Sequence, residues 1–138
     1  MITKKLWIRN IYRDTEPFAD KYLQERLWVR QDYQHEGEKW MFFDELAEIF
    51  LEEVEILLSN VSEYDKAIDD DEVNYPKVSD SLRNELQILY DQILAYPSEK
   101  AYEPESMLKD PVWHEVQTQS AKCLKLLKEN FPLWLTDL

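Results

Sequence analysis

Apolar residues recur at intervals of three and four through most of the chain. The pattern is clearest between positions 43 and 61. Phe43, Leu46, Ala47, Phe50, Val54, Leu57 and Val61 fall on one face of a helix. Asp44, Glu45, Glu48, Glu52 and Glu55 fall on the opposite side, in a stripe about 100° wide, which Glu63 extends if the helix runs that far. A second periodic segment runs from Asp80 to Tyr96, with Leu82, Leu86, Leu89, Ile93 and Tyr96 inward and Pro97 as the stop. A third begins with Asp110 as cap and Pro111 in the first position, and turns Trp113, Val116, Ser120, Leu124 and Leu127 inward until Asn130 and Pro132. Nearer the start, Thr15 reads as the cap of a helix holding Pro17 in its first turn. Phe18, Tyr22, Val29 and Tyr33 follow at helical spacing, and "HEG" at 35–37 ends that element. Residues 2–12 fit either a strand or a helix and are read as helical from their context. Residues 97–110, with Pro97 and Pro104, read as a loop, and the apolar tail "LWLTDL" is expected to pack back on the body. The pattern predicts an all-α, single-domain bundle spanning 1–138, with four main helices and an N-terminal segment of undecided type.

Composition sharpens this expectation in two places. There is one glycine in 138 residues, too few for the hairpins and bulges of a sheet protein. Hydrophobic residues make up 44%, enough for a real core in a chain of this length. Cys123 is the lone cysteine, so no disulfide can close within the chain, and its place beside Leu124 and Leu127 predicts a buried thiol. A reducing, cytoplasmic setting is expected. The opening "MITKKLWIRN" does not resemble a secretory leader, and nowhere do about 18 apolar residues run together.

Charge changes the picture most. The net charge of −13 is concentrated in the middle of the chain. Residues 1–40 carry 8 Lys/Arg and 7 Asp/Glu, residues 41–110 carry 5 and 19, and residues 111–138 carry 3 and 3. No Lys or Arg lies between Lys39 and Lys66, and Asp69, Asp70, Asp71 and Glu72 follow directly. Direct binding to nucleic acid needs the opposite sign, because cations must replace phosphate counterions. A basic partner is expected instead.

Catalytic and metal-binding patterns fit poorly. His35 and His114 are the only imidazoles, and the positions four residues on are Lys39 and Thr118, so no zinc-protease pair forms. Di-iron Glu-x-x-His pairs are missing. Counting from Asp69, the sixth and twelfth positions of a calcium loop would be Asn74 and Asp80, where Gly and Glu are required. Glu45-x-x-Glu48 and Glu52-x-x-Glu55 resemble half of the magnesium site of all-α nucleotide pyrophosphatases. The family's second half, a downstream Glu-x-x-Asp, is not present, and the stripe points away from the apolar face. The sequence reading is therefore a protein with no cofactor, no metal site and no catalytic residues.

What remains is the acidic face. Asp44/Glu48 and Glu48/Glu52 are like-charged pairs four apart, each costing about 0.2–0.5 kcal/mol in a helix. Tyr64 and Tyr75 flank the acidic run and Tyr102 lies in the next loop; tyrosine gives contact area at small entropic cost. In "DELAEIFLEEVE" and "DDDE" the chain resembles, by overall character, the immunity proteins of bacterial contact-dependent inhibition and related toxin systems. That resemblance implies a non-catalytic protein that covers the active or substrate-binding surface of a cognate basic toxin, such as a nuclease. Its contacts would be Asp44, Glu45, Glu48, Glu52, Glu55, Tyr64, Asp69, Asp70, Asp71, Glu72 and Tyr75. Three other readings stay open: a nucleic-acid mimic that inhibits a DNA- or RNA-binding enzyme, a Mg-dependent all-α nucleotide pyrophosphatase, and an adaptor that docks through "FPLWLTDL".

Overall fold

The computed structural model describes residues 3–59 and 77–138. Among them there is no β-strand, and the fold is all-α. Four long helices carry it: α1 (Lys4–Ala19), α3 (Phe43–Ser59), α4 (Asp80–Ala95) and α6 (Pro111–Asn130). Two single-turn helices, α2 (Lys21–Gln24) and α5 (Pro104–Met107), bring the α-helices of the described residues to six. The long helices close a ring, α1 against α3, α3 against α4, α4 against α6 and α6 against α1.

The N-terminal quarter departs from the periodic reading. Residues 2–12 do not stand apart, because Trp7, Ile8, Ile11, Tyr12, Thr15 and Phe18 form one continuous buried face of α1. Thr3 is the cap, its Oγ1 accepting from the Leu6 N–H at 3.1 Å. Thr15 caps nothing. Its hydroxyl donates to the Ile11 carbonyl at 2.7 Å in mid-helix. Pro17 lies near the end of α1 rather than in a first turn, so the chain has little helix left for it to interrupt.

The expected helical face Phe18–Tyr22–Val29–Tyr33 also fails. After α2, whose cap Asp20 accepts from the Leu23 N–H at 2.9 Å, residues Glu25–Val29 take a π-helical turn. The break at Asp20 leaves Tyr22 66% exposed and Gln24 buried, and the wider π-turn then places Arg26 and Leu27 inward. Residues 97–110 likewise are no plain loop. They hold a 3₁₀ turn, Ser98–Tyr102, and α5.

The other three helices follow the sequence pattern. Phe43, Leu46, Ala47, Phe50, Val54 and Leu57 of α3 are buried, as are Leu82, Leu86, Leu89 and Ile93 of α4. Asp110 caps α6 by accepting from the Val112 N–H at 3.0 Å, and its other oxygen accepts from the Tyr96 hydroxyl at 3.0 Å. Trp113, Val116, Ser120 and Leu127 are buried, whereas Leu124 is only partly so. The tail packs back through Phe131, Trp134 and Leu135, and the Arg9 guanidinium clasps it by donating to Asp137 and to the Trp134 carbonyl. Cys123 is fully buried, and burial pushes its thiol up to about 12, so it stays protonated and unreactive at neutral pH.

At the centre, Trp113 makes edge contacts with Phe18, Phe43 and Tyr96. One polar group ties this cluster together. Gln24 donates to the carbonyls of Pro17 and Phe18, and its Oε1 accepts from Trp113 Nε1 at 2.9 Å and Gln117 Nε2 at 2.7 Å. A buried amide bonded on both sides is worth more kept than removed, since each stranded partner costs about 1–3 kcal/mol. Replacing Gln24 by Leu strands four groups at once. Urea unfolding should show a loss of about 3 kcal/mol or more; a loss under about 1 kcal/mol would mean that water or repacking satisfies them.

Candidate functional site

The inward face of α3 fixes the direction of its carboxylates. With Phe50, Val54 and Leu57 fully buried, Glu45, Glu48, Glu52 and Glu55 are exposed and Asp44 is half-buried. None of the five is within 4 Å of a Lys or Arg among the described residues. A few carboxylates on other elements do meet a cation, among them Glu38, which pairs with Arg26 at 2.8 Å. Glu85 meets Lys122 at 3.0 Å and accepts from Gln119, Asp137 meets Arg9 at 2.7 Å, and Asp110 meets Lys100 at 3.3 Å. The Arg9 guanidinium holds the Asp137 carboxyl down at about 2. Among the described residues the outer face of α3 is thus a row of like charges with no ion pair. Tyr64, Asp69, Asp70, Asp71, Glu72 and Tyr75 lie outside the described residues, so the structure does not bring them to this face or away from it.

One acidic residue of α3 behaves otherwise. Glu53 points toward α1, where it meets the Asp14 carboxyl, and its Oε2 is buried with no donor among the described residues. Two carboxyls in contact repel unless one carries a proton, which then becomes the hydrogen bond between them. Burial, then Asp14, then the charge of Glu52 push Glu53 well above the usual carboxylate range, so it is the neutral member of the pair.

The described residues also form a cleft that sequence reasoning missed. Trp28, Tyr33, Phe42 and Tyr102 line a space of about 320 Å³ between the segment after the π-turn and the segment leading into α5. Tyr33, Phe42 and Tyr102 are all exposed, Tyr102 at 78%. The wall is set by a buried ion pair. Arg26 donates to both oxygens of Glu38, at 2.9 and 2.8 Å, and to the Asp32 carbonyl at 2.8 Å. Glu38 Oε1 accepts in addition from the backbone N–H groups of Gln34 and His35. Around this pair the chain turns through two left-handed residues, Gln31 (φ 52°) and Gly37 (φ 96°). Only the second is a glycine, so the turn at Gln31 carries strain. Trp28 Nε1 closes the wall by donating to the Met41 carbonyl at 2.8 Å. Gly37 and the aromatics at 33, 40 and 42 were visible signals. The Arg26–Glu38 partnership was not, because the π-turn that brings Arg26 inward has no sequence signature.

No other chemistry assembles. His35 and His114 are both exposed and belong to different elements; the His114 ring meets the Leu108 carbonyl at 2.7 Å. Among the described residues no three His, Cys, Asp or Glu side chains converge as a metal site would require. No helix of the described residues is long and apolar enough to cross a membrane. Comparison with protein-family models, with characterised proteins and with solved structures finds no match.

Two pH responses follow from these carboxyls. Arg26 first, with the Gln34 and His35 amides, holds the Glu38 carboxyl down at about 2 against the usual 4.5. A carboxyl with a lowered folded value stabilises the fold at higher pH, and that stabilisation is lost as pH falls from about 4.5 toward 2. Glu38→Gln should remove this acid-dependent part and speed amide exchange at residues 31–42, with the helical circular dichroism kept; unchanged exchange there would contradict the role given to the pair. Glu53 has the opposite sign. Its folded value is raised, so its contribution is complete below the usual range and fades as pH rises above 4.5. Glu53→Gln should flatten the decline in melting temperature on the alkaline side, and an unaltered pH profile would count against a shared proton.

Proposed function

We propose that this chain is a non-catalytic binding protein that presents the outer face of α3 to a basic protein. Within that class we favour an immunity protein that neutralises a cognate basic toxin by covering its active or substrate-binding surface, in the cytoplasm of the cell that makes it. The single observation carrying the reading is the row Glu45, Glu48, Glu52 and Glu55, exposed along one helix with no Lys or Arg of the described residues beside it. Such a row gathers negative potential on one side, which speeds capture of a cationic macromolecule and gives each carboxylate a charge-assisted bond to an arriving Arg or Lys. An antidote needs speed of capture above all. Two further features support a protein partner over a small substrate: a lining of exposed tyrosines at the head of α3, and an inert buried thiol in place of a nucleophile.

The test begins with the reading frame beside the gene. If its product is a toxin, co-expression of this chain should restore growth, and the purified pair should associate at a rate that falls steeply with salt, since screening shortens the reach of charge to about 8 Å at physiological ionic strength. Reversing Glu48, Glu52 and Glu55 to Lys should leave the melting temperature near that of the parent while slowing association by about tenfold or more. An association rate indifferent to salt and to the triple reversal would defeat the proposal.

A further inference from the structure

The acidic row of α3 is bordered by an apolar one. Ile49 is 37% exposed, and Ile56, seven residues on, is partly buried on the same line. Seven residues fall within about 20° of two full turns, so the two side chains stand one above the other about 10.5 Å apart. Phe42, seven residues before Ile49 and 46% exposed, heads the line where the chain enters the helix. Between α1 and α3, Trp7, Ile49 and Ile56 wall a recess of about 320 Å³ that Glu52 and Glu53 also line. Glu45 and Glu52 lie about 40–60° to one side of the isoleucine line, and Glu48 and Glu55 about 100–120° to that same side. The opposite flank is α1. The four exposed carboxylates are therefore all on one side of the apolar line, while the half-buried Glu53 lies on the α1 side against Asp14.

We infer that this face receives an amphipathic helix of the basic partner, seated with apolar side chains along Ile49 and Ile56 and with Lys or Arg on the single flank that faces Glu45, Glu48, Glu52 and Glu55. The inference rests on the reading of α3 as a docking face and adds the form of what docks. The spacing selects a helix: anchors in line at 10.5 Å match residues seven apart on a second helix. An added strand would need a sheet edge, and the described residues contain no strand. A polyproline segment would need a groove lined mainly by aromatic rings, whereas the two anchors set by the helix spacing are the aliphatic Ile49 and Ile56, with Phe42 and Trp7 only at the margins. A second copy of this chain fits poorly, because pairing α3 with itself sets carboxylate rows against each other.

The experiment uses the full chain and three labelled synthetic peptides, read by fluorescence anisotropy. The first is a three-heptad Leu/Lys helix former with Lys on one flank; the second has the same composition without period; the third replaces Lys by Glu. The ordered cationic peptide should bind about tenfold tighter than the other two and gain helicity on binding. Ile49→Ser should weaken it about fivefold or more, while Leu94→Ser, at a 61% exposed position on α4, should not. Because Ile49 is partly exposed, the variant should fold, and its circular dichroism is measured alongside. If the cationic peptides bind equally, the helix inference is overturned and the acidic face stands. If neither binds, both fall. Equal binding of the acidic peptide, insensitivity to Ile49→Ser, or concentration-dependent self-association abolished by Ile49→Ser each overturns the inference.

Discussion

Helix α3 cannot turn about its own axis. Phe43, Phe50, Val54 and Leu57 are locked between α1 and α4, and burying side chains of this size contributes about 1.5–3 kcal/mol each. Rotating the helix by even one residue's angle would expose some of them and bury carboxylates in their place. The core therefore sets the direction of every charge on the outer face, and at least three glutamates four or seven apart are held in register on a rigid rod. The surface is preorganised by a packing decision made on the other side of the helix. A flexible acidic tail with the same charge would have to be ordered on binding; this face does not.

With 16 Lys/Arg against 29 Asp/Glu the chain has too few cations to pair every carboxylate, and several of those it has bridge other elements. Lys122, Lys100, Arg9 and Arg26 each find a carboxylate on a different element. Where charge serves the fold, it is paired across elements: Arg9 ties α1 to the tail, and Lys122 ties α6 to α4. Arg26 and Glu38 go further, shaping a strained turn that presents Tyr33 and Phe42 at the head of α3. Among the described residues these four bridging carboxylates are paired, whereas no Lys or Arg lies within 4 Å of a carboxylate on the outer face of α3.

Much of this was legible in the residues. The inward faces of α3, α4 and α6 follow from spacing, because one periodic signal runs through each; the Asp110–Pro111 start follows from cap chemistry and the packed tail from its apolar content. The N-terminal third was misread for a local reason. Thr15 and Pro17 carry the chemistry of a helix start, yet the apolar face running from Trp7 to Phe18 outweighed them, and Thr3 and Asp20 do the capping. The break at Asp20 leaves Tyr22 outward, and beyond Gln24 the π-turn breaks the period again, so that Arg26 turns inward and Tyr33 outward. Glu45, Glu48, Glu52 and Glu55 were read correctly as exposed, since they are the complement of a clear apolar face, whereas Asp44 is half-buried and Glu63 lies outside the described residues. The aromatic cleft was not read, since its walls come from positions 28–42 and 101–107, which meet only in three dimensions. Glu53 was missed for a similar reason: its neighbour Asp14 is on another helix.

The most direct test is a footprint. Hydrogen exchange or cross-saturation NMR of the full chain, free and bound to the basic partner proposed for it, reports which face is covered without presuming the energetic role of any residue. The account predicts protection along the outer side of α3, centred on residues 45–56, with α4 and α6 unchanged on their exposed faces. A footprint confined to α4, α6 or the tail, with α3 exchanging as in the free protein, would contradict it.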